Sequence, residues 1–315
     1  MSAMETAKGS PVGTVRGNWW QRWGEETFAA YLFILPAFVI LLVFAFFPVI
    51  FSVITSFMKW NLPYRPSWTG IQNYQYLFQS AVGWKIFRGA LANTLYFTVG
   101  SVPLNMAISL FIALFLNQRL RGVGLFRTAY FLPTITSTVA MSVVWMWLYH
   151  PANYGLFNTI LLKLGLPIQR WLRDPVLAMP ALIAMGIWHG MGYNIIIFLA
   201  GLQGIPAQLY EAAKIDGAGT WAQFRKITWP LLSPTTFYVL VIGVINAMQA
   251  FSQMHVMTQG GPLQRTTTIV YYLYQLAFEN FTMGRASAVA CVLFVLLLIL
   301  TVIQFKVMGA RVHYE

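Results

Sequence analysis

The sequence predicts an all-α, polytopic integral membrane protein with about six transmembrane helices. Hydrophobic residues make up 58% of the 315 positions, against roughly 45–50% in soluble domains, and the mean hydropathy is +0.64. Apolar runs recur along the whole chain at the length needed to cross a bilayer, about 20 residues for a hydrocarbon core about 30 Å thick. All eight acidic residues (Glu5, Glu25, Glu26, Asp174, Glu211, Asp216, Glu279 and Glu315) fall outside these runs.

Taken in order, residues 1–27 are polar and lack a basic segment leading to a short apolar core and a small-residue cleavage site. They read as a cytosolic N-terminal tail. A transmembrane domain follows over 28–310, with spans expected near 29–57, 90–116, 127–150, 176–203, 231–254 and 286–308, and a cytosolic C-terminal end over 311–315. Trp145 and Trp147 in the third span read as interfacial anchors or packing residues. Between the fourth and fifth spans lies a polar island, Ile205 to Leu232, which gathers Glu211, Lys214, Asp216, Arg225 and Lys226 in a chain only 9% charged.

The net charge of +12 does not point to nucleic acid. The basic residues stand singly between spans, with no stripe and no nucleic-acid-binding signature; topology accounts for them. With both termini inside, the cytosolic segments hold Lys8, Arg16, Arg22, Arg119, Arg121, Arg127, Lys214, Arg225, Lys226, Lys306 and Arg311, eleven of the twenty basic residues. That bias is small, but short segments count most, and the loop carrying Arg119, Arg121 and Arg127 is short and strongly basic.

Other chemistries lack their residues. His150, His189, His255 and His313 are dispersed, with no pair at ligand spacing. No phosphate-binding glycine loop is present, and no nucleophile–base arrangement of the hydrolase kind. The single cysteine, Cys291, lies in the last span as a small packing residue. Proton-coupled transporters commonly carry carboxylates or histidines within the membrane; here only His189 is at depth, so a transport reading needs an energy source outside this chain.

The island resolves into a helix–turn–helix. Pro206 suits the first turn of a helix, which should run through Glu211-Ala212-Ala213 to about Ile215, with Leu209, Ala212 and Ala213 on one small apolar face. Gly217 and Gly219 can supply a turn. Thr220 and Gln223 have capping-box spacing for a second short helix, and Pro230 marks the start of the fifth span. An amphipathic loop lying on the headgroups would show the same composition.

In the fifth span Asn246, Gln249 and Gln253 stand at i, i+3 and i+7 and are expected to share a helical face. Amides avoid lipid and turn toward a bundle interior or a wet cavity; they can donate and accept, as sugar hydroxyls require. Helix–helix adhesion is the alternative use of such groups, and Gly186-x-x-x-Gly190 in the fourth span is itself a packing spacing.

The pattern Glu211-Ala212-Ala213, Gly217, Ile227 and Pro230 resembles the E-A-A-x3-G-x9-I-x-L-P signature of the permease subunits of binding-protein-dependent ABC importers, with Trp229 in place of the usual leucine. The longer string LQGIPAQLYEAAKIDGAG is similar to the carbohydrate-uptake branch (maltose and glycerol-phosphate type). NTLYFTVG, LFRTAYFLP, VVWMWLY and TQGGP agree, so the resemblance covers about 28–310. It implies a permease in a bacterial or archaeal cytoplasmic (inner) membrane that forms half of a pathway for a carbohydrate or related solute. The implied partners are an ATP-binding subunit dimer, a second homologous permease, an extracytoplasmic solute-binding protein and the lipid membrane. No cofactor is implied in this chain; ATP and Mg belong to the ATPase.

By the same resemblance Glu211, Ala212, Ala213, Asp216 and Gly217 lie on a cytoplasmic coupling helix that docks on the ATPase, with Arg225 and Lys226 as supporting charges. Trp188, His189, Tyr193 and Asn194 match the solute-contacting stretch of maltose-type permeases, and with Asn246, Gln249 and Gln253 they form the expected substrate path. A secondary transporter or channel working without an ATPase is the alternative, and an integral-membrane enzyme a remoter one.

Overall fold

A computed structural model describes residues 19–118 and 123–308. Lys8, Arg16, Arg119, Arg121, Arg311 and the C-terminal end 311–315 lie outside the described residues. The chain divides into two compact units, Met1–Phe51 and Ser52–Glu315.

In the first unit α1 (Trp19–Leu41) continues through a π-helical turn (Leu42–Phe46) into α2 (Phe47–Ser56), whose last turn belongs to the second unit. The run Thr27–Ser56 is long and apolar enough to cross a membrane, close to the expected 29–57. Its large side chains are exposed, with Phe33 at 84% and Phe44 at 77%. A continuous apolar surface of this size needs a non-aqueous solvent.

The second unit opens with a short antiparallel ribbon, β1 (Met58–Lys59) against β2 (Ser67–Trp68), and α3 (Gln72–Gln79). The Asn73 amide donates to the carbonyls of Ser56 (2.8 Å) and Met58 (2.9 Å), tying α3 to the end of α2. The next helix, α4 (Ala81–Leu116), starts earlier than the expected 90 because Ser80 caps it, its hydroxyl accepting from Gly83 N–H at 3.4 Å.

The span expected over 127–150 is made of two helices, α5 (Val123–Ile135) and α6 (Thr138–Leu148), bent by 110°. Pro133 lacks a donor for the helical ladder. Thr136 N–H closes a tight turn on the Pro133 carbonyl at 3.3 Å, and Ser137 leaves the helical region with ψ 136°. Trp145 is buried, its ring 5.3 Å from Tyr149 and 5.9 Å from Phe157, while Trp147 is exposed. The first of the pair packs and the second faces outward.

After α7 (Leu156–Lys163) comes α8 (Ala178–Gln203), close to the expected 176–203. The polar island holds α9 (Ala207–Ile215), α10 (Thr220–Gln223), a π-turn (Phe224–Thr228) and α11 (Trp229–Leu231). A 62° bend leads into α12 (Ser233–Met248). This helix ends before the expected 254, and α13 (Ser252–Met257) follows a break. The Ala250 carbonyl, freed by the break, accepts from the Thr268 hydroxyl at 2.9 Å. Then come α14 (Ile269–Tyr274), a π-turn (Gln275–Glu279) and α15 (Met283–Met308). Among the described residues four helices can span a membrane, or six spans if each bent pair counts as one.

The centre of this unit is α4 packed along α8 and α12. Glycine lets the backbones approach. A Cβ on Gly100 would lie 2.7 Å from Ile183, on Gly186 3.2 Å from Phe97, on Gly190 3.3 Å from Asn105 and on Gly243 3.2 Å from Val102. Where lipid supplies no hydrophobic drive between helices, such close packing and interhelical hydrogen bonds hold the bundle.

Candidate functional site

Two regions carry the residues singled out in the sequence. In the first, α9 buries no residue; Glu211, Ala212, Asp216 and Gly217 are exposed and Ala213 is half-buried. Pro206 precedes the helix at ψ 129° rather than sitting in its first turn. At the other end Gly217 has φ +76°, Ala218 N–H donates to the Ala213 carbonyl (2.8 Å) and Gly217 N–H to the Lys214 carbonyl (3.1 Å). This is the Schellman arrangement, which needs a left-handed residue just past the helix and satisfies its last carbonyls.

The capping box expected at Thr220 and Gln223 does not form. Thr220 lies inside α10, whose N-cap is Gly219, and the Gln223 side chain instead donates to the Ala218 carbonyl at 2.8 Å. Gln223 therefore braces the turn. Tyr210 and Thr228 share a hydroxyl hydrogen bond of 2.9 Å that ties α9 to the π-turn. Ile215 (86% exposed) and Trp221 (72%) leave a stiff, hydrogen-bonded element with uncovered apolar side chains.

The second region is a cavity of about 340 Å³ lined by five of the seven predicted path residues: His189, Tyr193 and Asn194 from α8, Asn246 from α12 and Gln253 from α13. Trp188 and Gln249 are not among its lining residues. The single helical face expected for Asn246, Gln249 and Gln253 does not exist, because α12 ends at Met248. Gln249 is the exposed residue after its last turn, and Gln253 reaches the cavity from a separate helix.

Hydrogen bonds separate structural members of this lining from open ones. The Asn194 amide donates to Asn105 Oδ1 at 2.7 Å; Asn105 donates onward to the Ile187 carbonyl at 3.1 Å, and Ser109 donates to Asn105 Oδ1 at 3.1 Å. That network fastens α8 to α4. His189 Nε2 donates to the Thr136 carbonyl at 3.0 Å, and the Thr134 hydroxyl to the His189 carbonyl at 3.1 Å. His189 thus holds the α5–α6 break against α8. Tyr193 and Asn246 are exposed.

Asn105, Ser101, Thr134 and Thr138 line the cavity without having been singled out. The signal was present in α4, where Ser101, Asn105 and Ser109 recur every four residues in an apolar span. A larger groove of about 500 Å³ between α5 and α8 is lined mostly by apolar residues such as Phe131, Leu132 and Ile196 and offers fewer hydrogen-bonding groups.

Residues 105–311 match the family described as binding-protein-dependent transport system inner membrane component. The arabinooligosaccharides transport system permease protein AraP of Bacillus subtilis is 35% identical over 302 residues, covering 95% of this chain and 95% of its own. The trehalose/maltose transport system permease protein MalF of Thermococcus litoralis is 35% identical over 288 residues, 90% of this chain and 94% of its own. A bacterial ABC transporter involved in the import of the acidic polysaccharide alginate has a chain 25% identical with TM-score 0.80, covering 94% of this chain and 99% of that one. The chain belongs to the binding-protein-dependent inner membrane component family and is a transport subunit, the permease of an ABC importer, rather than an enzyme.

Proposed function

We propose that residues 28–310 act as one transmembrane domain that forms half of the pathway for a carbohydrate or related polyol or sugar phosphate. The observation that carries this reading is the continuity of α8. It runs from the cavity residues His189, Tyr193 and Asn194 to Gln203, and the exposed α9 begins at Ala207. From Asn194 to Gln203 is nine helical steps, about 14 Å, so a push on α9 reaches the cavity through one rigid rod.

In this reading α9, through Glu211, Ala212, Ala213, Asp216 and Gly217, seats in an ATPase subunit on the cytosolic side. That side assignment places both termini in the cytosol. ATP with Mg closes the ATPase dimer, swings the coupling helices of two homologous permeases together and opens the cavity outward; hydrolysis resets it. A soluble binding protein delivers solute from outside. Relatives named for arabinooligosaccharides, trehalose/maltose, lactose and sn-glycerol-3-phosphate support a hydroxyl-rich solute, as do the neutral donors and acceptors of the cavity.

The test is uptake into proteoliposomes holding this chain with its neighbouring permease, ATPase and binding protein, offered arabinotriose, maltose, lactose and sn-glycerol-3-phosphate. Uptake of at least one that requires ATP and persists with an uncoupler is expected. Uptake driven by an imposed ion gradient without ATPase would overturn the proposal in favour of a secondary transporter.

A further inference from the structure

Ser101 carries a buried hydroxyl in the cavity lining that is left without a hydrogen bond among the described residues. It is 7% exposed, lies in α4 and lines the same cavity as Asn246 and Gln253. Several helical hydroxyls elsewhere in this bundle turn back on the carbonyl one turn earlier, and others, such as Ser109 and Thr134, bond across to α8. Thr94 donates to Ala90 (2.8 Å) and Thr98 to Thr94 (2.8 Å) in the same helix, Ser142 to Thr138 (2.7 Å) in α6 and Thr236 to Leu232 (3.0 Å) in α12. That back-bond is the default for serine and threonine inside helices. A buried hydroxyl without it carries a desolvation cost, and orphan polar groups in an apolar bundle are rare unless they meet water or a ligand.

The neighbours of Ser101 show why it differs from its helix mates. One turn along α4, Asn105 faces the same cavity, but both its amide and its carbonyl are consumed by the α4–α8 network. Across the cavity His189 is held by Thr136, and Asn194 by Asn105. Ser101, Thr138, Asn246 and Gln253, from α4, α6, α12 and α13, are lining residues whose side chains make no hydrogen bond among the described residues, and of these Ser101 has the fully buried oxygen.

We infer that Ser101 is a solute-binding residue of the pathway: its hydroxyl exchanges a hydrogen bond with a hydroxyl of the carried saccharide, opposite the amides of Asn246 and Gln253. A serine suits a path that must release its cargo, since one side chain both donates and accepts and can re-aim as the sugar moves. The inference rests on the solute pathway proposed above, and extends it to α4, from which no path residue was expected.

The experiment uses the assembled transporter with Cys291→Ala, carrying a single cysteine at 101, at 246 or at the control position 109. Ser109 is fully buried and doubly bonded in the α4–α8 interface. Membrane-impermeant thiosulfonate should modify 101 and 246 at rates within about ten-fold of each other, and 109 far more slowly. The saccharide carried in the panel assay, arabinotriose first, should slow modification at 101. Ser101→Ala should raise the half-saturating concentration for uptake several-fold with basal ATPase activity and complex yield unchanged, and Ser101→Thr should recover part of the loss. A reactive 246 with an inert 101, or normal uptake by Ser101→Ala, overturns the inference and leaves the pathway standing. Inert cysteines at both positions overturn the pathway itself and the inference with it.

Discussion

Gly217 gives the sharpest test of the coupling element, because its requirement is conformational and can be separated from contact. Its φ of +76° places it in the left-handed region, where an L-residue costs roughly 1–2 kcal/mol. A Cβ there would meet nothing within 4 Å, so no clash adds to that cost. Gly217→Ala should therefore shift the balance between capped and uncapped α9 by about 1 kcal/mol. Gly217→Val, with its stiff branched side chain, should shift it by about 2 kcal/mol, roughly thirty-fold at about 1.4 kcal/mol per factor of ten. Asparagine visits the left-handed region with little strain, so Gly217→Asn should behave nearly as wild type. Since α9 buries no residue, none of the three should impair membrane insertion. The assay is ATP-driven uptake and solute-stimulated ATPase activity in proteoliposomes, with wild type and Asn highest, Ala intermediate and Val lowest. Normal transport by Gly217→Val would refute the coupling assignment. Asn as impaired as Val would show that glycine is needed for contact rather than for its backbone angle.

Three further outcomes follow from the same geometry. Glu211→Lys, which reverses an exposed charge on α9, should reduce co-purification of the ATPase without changing complex-independent insertion; unchanged association removes Glu211 from the docking surface. Asn246→Leu should slow uptake by the equivalent of about 0.5–1.5 kcal/mol with assembly intact, whereas Asn105→Leu, which strips partners from Asn194 and Ser109, should lower the melting temperature of the detergent-solubilised protein. The reverse pattern would exchange their roles. Gly192→Leu should abolish stable protein, because a Cβ at 192 already collides with the Tyr130 carbonyl and the Thr134 hydroxyl; a well-folded variant would mean that α5 does not seat on α8 as described.

Apolar length was legible in the sequence, and helix continuity was not. Hydropathy places spans at 176–203 and 286–308 to within three residues of α8 and α15 because a bilayer rewards one long apolar run. It cannot see that Pro133 and Ser137 fold the third run back on itself by 110°, since both halves are equally apolar. The same blindness made Asn246, Gln249 and Gln253 one face: periodicity presumes an unbroken helix, and the break after Met248 is stabilised by Thr268, eighteen residues beyond the Ala250 carbonyl that it bonds. Local backbone chemistry was more dependable. Gly217 was expected to turn and does so at positive φ, because only nearby residues decide it. The capping box at Thr220 failed for a local reason, an N-cap one residue earlier at Gly219. Cavity residues were found where their amides or rings are conspicuous in the sequence, and Ser101 was missed because serine in an apolar helix ordinarily bonds its own backbone.

The two regions are mechanically one because of how α8 is held. Along a single helix, Gly186 and Gly190 press against Phe97 and Asn105 of α4, while Gly192 presses against Tyr130 and Thr134 of α5. His189 and Asn194 add hydrogen bonds to the α5–α6 break and to α4. Backbone-to-side-chain contacts this close leave no room for α8 to slide independently of its neighbours, since a packed interface has discrete arrangements rather than a continuum. A displacement entering at α9 would be shared by α4, α5, α8 and the closely packed α12, which carries Asn246, while Gln253 sits on α13 beyond the break after Met248. The cavity draws its polar groups from several elements, with Ser101 on α4 and the two open amides on α12 and α13. If α9 takes the coupling role proposed for it, relative motion of these elements would change which hydrogen bonds one solute can make at once, and a push on α9 would become a change in affinity at the cavity.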